Sequence, residues 1–123
     1  MGDRELKRYP GLGGSDNEEE TLIVFETSDS VSHTLTLKQL DGTLHLFRTV
    51  QLLHAELTPS RDNLTLLFPT HTVAITGFAL QPIFDALAQD RLALVRAFDK
   101  RYASQVLESD PFVKEIEVEG RGD

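Results

Sequence analysis

No cysteine occurs anywhere in the chain, so disulfides and thiolate-held metals are excluded at the outset. Tryptophan is absent as well, and the aromatic supply is seven Phe and two Tyr. No run approaches the roughly 18–20 apolar residues that a spanning helix requires. The opening Met1-Gly2-Asp3-Arg4-Glu5-Leu6-Lys7-Arg8 lacks the apolar centre of a secretory signal. Basic charge is also in short supply: 12 Lys and Arg face 20 Asp and Glu, for a formal net charge of −8. A clustered basic face supplies most of the affinity of nucleic-acid binders and of proteins drawn to anionic membranes. Its absence makes both partners unexpected, and a cytoplasmic protein is the expectation.

What the chain does have is one stretch around which the rest is organised, His71 through Ala88. Up to Thr76 the residues alternate with the period of a strand, placing His71, Val73 and Ile75 on one face. From Leu80 the apolar residues recur at Ile83, Phe84 and Leu87, the spacing of one helical face. Gly77 fits the sharp turn between them, and Pro82 suits a first helical turn. Ile83, Phe84 and Leu87 are expected to cover the Val73/Ile75 side of a sheet.

Most of what precedes this stretch reads as strand. Thr21–Thr27 is β-branched and aromatic. His33–Leu40 alternates, with Leu35 and Leu37 inward, and Asp41-Gly42 then predicts a two-residue hairpin turn before a return strand over Thr43–Arg48. Thr49–Leu57, Leu64–Phe68 and His71–Thr76 supply further strands, separated by Thr58–Asn63 and Pro69-Thr70. No crossover is long enough for parallel pairing, which predicts an antiparallel meander. Beyond Asp90 two readings compete. Leu94, Val95, Phe98 and Tyr102 favour a helix continued to about Tyr102, and the alternative is a short helix followed by another strand. Phe112–Glu119 alternates and suggests an edge strand.

The expected fold class is therefore α+β: five to seven short antiparallel strands, as a small sheet or half-barrel, covered by one C-terminal amphipathic helix. Residues 1–20 read as a disordered acidic and Gly-rich tail, 21–119 as one domain and 120–123 as a free terminus. Gly11–Ser15 lacks the strand, helix and Lys-Ser/Thr context of a phosphate loop.

Chemistry-bearing constellations are thin. His33, His45, His54 and His71 show no metal-ligand spacing, although a site assembled across strands is conceivable. Ser28, Ser30, Ser32 and Thr72, with Asp29 and His33, supply triad atoms without a nucleophile elbow. No catalytic, cofactor or metal residues are assigned. Asn63-Leu64-Thr65 and Arg121-Gly122-Asp123 match short motifs that mean little in this context. On a continuous helix Arg91, Arg96, Lys100 and Arg101 would form a basic face able to dock an acidic partner or the chain's own acidic ends. The leading functional reading is a non-enzymatic interaction or assembly domain whose partner is a protein, itself or another, held through a sheet edge or the helix. The alternative is a PH-like or Sm-like small barrel that binds a ligand or nucleic acid. A third is an enzyme whose site one sequence does not reveal.

Overall fold

A computed structural model describes residues 22–121. Within them, β1 (Phe25–Thr27), β2 (Thr34–Lys38) and β3 (Leu44–Arg48) are followed by a 3-10 turn at Thr49–Gln51. Next come β4 (His54–Leu57), β5 (Asn63–Leu67), β6 (His71–Phe78), the helix α1 (Gln81–Ala88), β7 (Leu92–Arg96), a second 3-10 segment (Lys100–Gln105) and β8 (Phe112–Gly120). The expected disorder of residues 1–20 and the last two residues of Arg121-Gly122-Asp123 lie outside the described residues.

The strands build two open four-stranded sheets, with orders β1-β7-β2-β3 and β4-β5-β6-β8. Neither closes into a barrel. Two expectations are corrected here. There are two sheets where one was expected, and the meander is interrupted, because β7 inserts between β1 and β2 and runs parallel to β2. The expectation of no parallel pairing fails because it weighs only the connections between consecutive strands. The parallel pair Thr36↔Leu94 and Leu37↔Val95 joins strands separated by most of the fold, which spans any crossover geometry.

The helix is shorter than the favoured reading. It ends at Ala88 because Asp90 adopts a left-handed conformation, φ 59. Arg91 N–H then donates to Ala86 O and Asp90 N–H to Leu87 O, the paired bonds of a Schellman motif that satisfy carbonyls left over by the last turn. The chain leaves as β7, where Val95 faces inward beside Leu37. Helix propensity at Leu92–Arg96 was outweighed by pairing on both sides.

The turns carry two further corrections. Gln39 N–H donates to Thr43 O and Gly42 N–H to Gln39 O, so the hairpin loop is the three residues Leu40-Asp41-Gly42, not a two-residue turn. Gly42 sits at φ +92, the positive torsion this loop class places on its last residue. Thr43 N–H also donates to Asp41 Oδ1 at 2.9 Å, and this bond holds the Asp41 carboxyl below the ordinary aspartate range. Gly77, expected to make the turn into the helix, lies inside β6 at a bulge against β8. It is needed there for closeness: a Cβ on Gly77 would fall 1.8 Å from the Phe112 carbonyl oxygen. The positive torsion of the turn belongs to Ala79, φ 54. β8 also continues through Gly120, which pairs with His71.

One hydrophobic core holds the sheets and helix together. Leu35, Leu37 and Val95 from the first sheet join Leu64, Leu66, Val73, Ile75 and Ile116 from the second. From α1, Ile83, Ala86 and Leu87 are buried in the same cluster, whereas Phe84 is only partly buried. The helix start is fixed from the β4–β5 loop, where Leu80 N–H donates to Arg61 O and Arg61 Nε donates to Gln81 Oε1 at 2.7 Å.

Candidate interaction surface

Each sheet leaves two edges, and an edge strand exposes unpaired backbone that must be guarded or used. β1 is three residues long and its pairing shifts register between Glu26 and Thr27. β4 is four residues with His54 and Glu56 exposed, 3.6 Å apart, and Pro59 two positions beyond it. β8 displays Lys114, Glu115, Glu117 and Glu119. Short length, a bulge, proline and charge are the usual guards. β3 has little of this. It is five residues, Leu44-His45-Leu46-Phe47-Arg48, without proline or acid, and its Leu44 and Leu46 are 63% and 61% exposed.

The exposure continues along the chain. Among the described residues, five of the eight large hydrophobics left in water fall between Leu40 and Leu53. Val50, in the 3-10 turn after β3, is 89% exposed. The opposite face of β3 is anchored. Phe47 stacks on Phe68 with centroids 4.3 Å apart and meets His71 edge-on at 5.5 Å. His45 Nε2 donates to Gln39 Oε1 at 3.0 Å, and Gln39 Nε2 in turn donates to Ile116 O of the other sheet at 2.8 Å. The exposed edge is thus held rigid from behind.

The two outer sheet faces differ in sign. Register places Thr34, Thr36 and Lys38 of β2 beside Arg48, Leu46 and Leu44 of β3, and Leu94 and Arg96 of β7 beside Thr36 and Lys38. Glu26 is the acid on this face, and its Oε2 accepts from Arg96 at 3.1 Å. On the other sheet, Glu115, Glu117 and Glu119 line up beside Thr76, Ala74 and Thr72, with Glu56 on the opposite edge strand beside Thr65. The first outer face is cationic and apolar; the second is acidic.

The four basic residues singled out in the sequence do not share an element. Arg91 lies in the turn after α1 and donates to the carbonyls of Ser28 and Asp29, at 3.4 and 2.6 Å. Arg96 stands in β7, with Nη1 donating to Ile23 O. Lys100 and Arg101 belong to the second 3-10 segment, where Arg101 lies over the Tyr102 ring at 5.1 Å. The helical face that would have joined them is absent because the helix stops at Ala88. Of the histidines, His45 lies opposite Leu37, so no cross-strand histidine pair forms there. Among the described residues no group of three His, Asp or Glu is arranged to hold a metal ion. Ser32 Oγ donates to Thr34 O and Ser30 N–H to Ser28 Oγ, so these serines serve the turn. No described helix is long and apolar enough to cross a membrane.

Sequence reasoning missed Leu44, Leu46 and Arg48. The available signal was a strand apolar on both faces: Phe47 accounts for the inner one and leaves the two leucines with no core to enter. No protein-family model, curated protein or solved structure matches the chain.

Proposed function

We propose that this domain is a non-enzymatic protein-interaction module whose contact surface is the edge strand β3 and the corner that follows it. One observation carries the reading: among the described residues, β3 is the sheet edge that combines full strand length, an exposed pair of leucines and no acidic or proline guard. Unprotected edges of this kind drive aggregation unless something covers them. The anchoring of Phe47 and His45 supports the same reading, because an edge that is already ordered gives up little entropy on binding.

The test is site-specific photo-crosslinking in cells that make the protein. A photoreactive residue is placed at position 46, on the outer face of β3, or at position 65, on the outer face of β5. Discrete adducts with another polypeptide from position 46, absent from position 65, are expected. Identical adduct patterns from both positions, or none from either, would overturn the proposal.

A further inference from the structure

Backbone phase fixes what the free side of β3 offers. The bonds from Gln39 N–H to Thr43 O and from Thr49 N–H to His33 O set the antiparallel alternation with β2. His45 and Phe47 therefore exchange bonds with β2, and the N–H and C=O groups of Leu44, Leu46 and Arg48 point away from it. The side chains of the same three residues stand on the outer face. A strand added here sets one of its own residues directly beside each of them, close enough to decide the pairing.

Beside Leu44 and Leu46 the fitting neighbour is aliphatic; beside Arg48 it is a carboxylate. The wider field agrees. Lys38 lies opposite Leu44 and Arg96 beyond it, and Glu26, the acid that the strands of the described residues place on this face, is tied to Arg96. Among the described residues neither Lys38 nor Arg48 makes an ion pair. In a two-fold antiparallel pairing of β3 with a second copy, Leu46 would meet Leu46 and Arg48 would meet Leu44, so neither Arg48 would find a carboxylate opposite it. An acidic strand from another protein supplies that carboxylate, and β3 itself has none to offer.

Resting on the interaction reading above, we infer that β3 accepts by strand addition an extended, acidic segment of another protein. In that segment two aliphatic residues at alternate positions lie against Leu44 and Leu46, and a Glu or Asp two positions further lies against Arg48. Main-chain bonds to Leu44, Leu46 and Arg48 give affinity, and the alternating side chains give selectivity.

The experiment titrates the full chain into a fluorescently labelled peptide with the core Glu-Thr-Leu-Thr-Val, and into the same peptide with Lys in place of Glu. Saturable binding of the Glu peptide is expected, with the Lys peptide weaker by about tenfold, the effect of replacing one cross-strand attraction by a repulsion. Arg48→Glu should invert that preference; Arg48 is exposed, so the variant is expected to fold, which circular dichroism checks. Equal affinity for both peptides would overturn the inference, as would a concentration-dependent dimer in sedimentation that Leu46→Lys abolishes. A crosslink from position 46 that yields an adduct with the mass of a single chain would overturn it too, since the chain's own segment would then be the occupant. If neither peptide binds while adducts from position 46 to other polypeptides persist, the acidic strand partner falls and the interaction module stands.

Discussion

Replacing Gly77 with alanine adds one methyl group at the point where β6 and β8 come closest. An ideal Cβ at that position lies 1.8 Å from Phe112 O, 2.8 Å from Phe112 C and 3.0 Å from Val113 Cα. All three are backbone atoms, so no side chain can swing aside, and the strands must part by about 1.6 Å to carry the closest approach from 1.8 Å to an ordinary contact of 3.4 Å. Parting them weakens the pairing of Gly77 with Val113 and of Phe78 with Phe112, at about 1 kcal/mol for each lost hydrogen bond. It also loosens the Phe78–Phe112 stack, whose centroids are 5.5 Å apart, and adds strain of about 1–3 kcal/mol. Alanine returns about 0.4–1 kcal/mol by restricting the unfolded chain. The expected net loss is about 3–4 kcal/mol, a large part of the roughly 5–15 kcal/mol that holds a domain together. Urea denaturation followed by far-UV circular dichroism should show the midpoint falling by about 1.5–2 M. Two other glycines calibrate the result. Gly120→Ala meets nothing within 4 Å and should stay within about 0.5 kcal/mol of the parent. Gly42→Ala also meets nothing, but its φ of +92 should cost about 1–2 kcal/mol. A Gly77→Ala protein within 1 kcal/mol of the parent at unchanged slope would refute the argument from close approach.

Asp90→Gly should stabilise the protein by about 0.5–1 kcal/mol, read as a raised melting temperature, because glycine occupies the left-handed Schellman position without a Cβ penalty. Ile83→Ala should lower stability by about 2–5 kcal/mol in denaturant melts, and Phe84→Ala by less than a fully buried phenylalanine would, since Ile83 is buried and Phe84 only partly so. Asp62 has its carboxyl held below the ordinary aspartate range by the hydroxyls of Ser60 and Thr58. A depressed pKa contributes stability that is present at neutral pH and lost as pH falls through the folded value. Asp62→Asn should therefore melt earlier than the parent at pH 7, and the difference should fade below about pH 4. A constant offset across that range would count against the linkage.

The extent to which the sequence announced this fold follows the reach of each interaction. Leu35 and Leu37 inward and strands near Leu64–Phe68 and His71–Thr76 rest on periodicities within a few residues; the two leucines are buried, and the strands run over Asn63–Leu67 and His71–Phe78. The central position of β7 depends on partners far away in the chain, β1 and β2, which no local pattern encodes. Gly77 shows the same limit. Its presence was legible and its reason was not, because the atom that forbids a side chain belongs to Phe112. From the sequence β3 is one arm of a hairpin and no more, since nothing in Leu44–Arg48 says that no further strand lies beyond it. The basic quartet failed as a face for one local reason, the left-handed Asp90, which a helical-spacing argument does not see.

The insertion of β7 between β1 and β2 also sets an order of events in time. The β2–β3 hairpin and the β4–β5–β6 run join sequence neighbours and can form as soon as their residues are free to collapse. β1 has no such option: its neighbour in the sheet is β7, some seventy residues further along, as in Phe25↔Val95. Until β7 arrives, β1 has no strand to pair with, and β2 presents a second bare edge alongside the one β3 keeps. Closing so long a loop is costly before any contact rewards it, which places the domain among slow, high-contact-order folders on the millisecond-to-second scale. On the ribosome, the first sheet stays incomplete until Arg96 has emerged. The nascent chain therefore passes through an interval in which two cationic, leucine-bearing edges are open to whatever acidic strand is nearby.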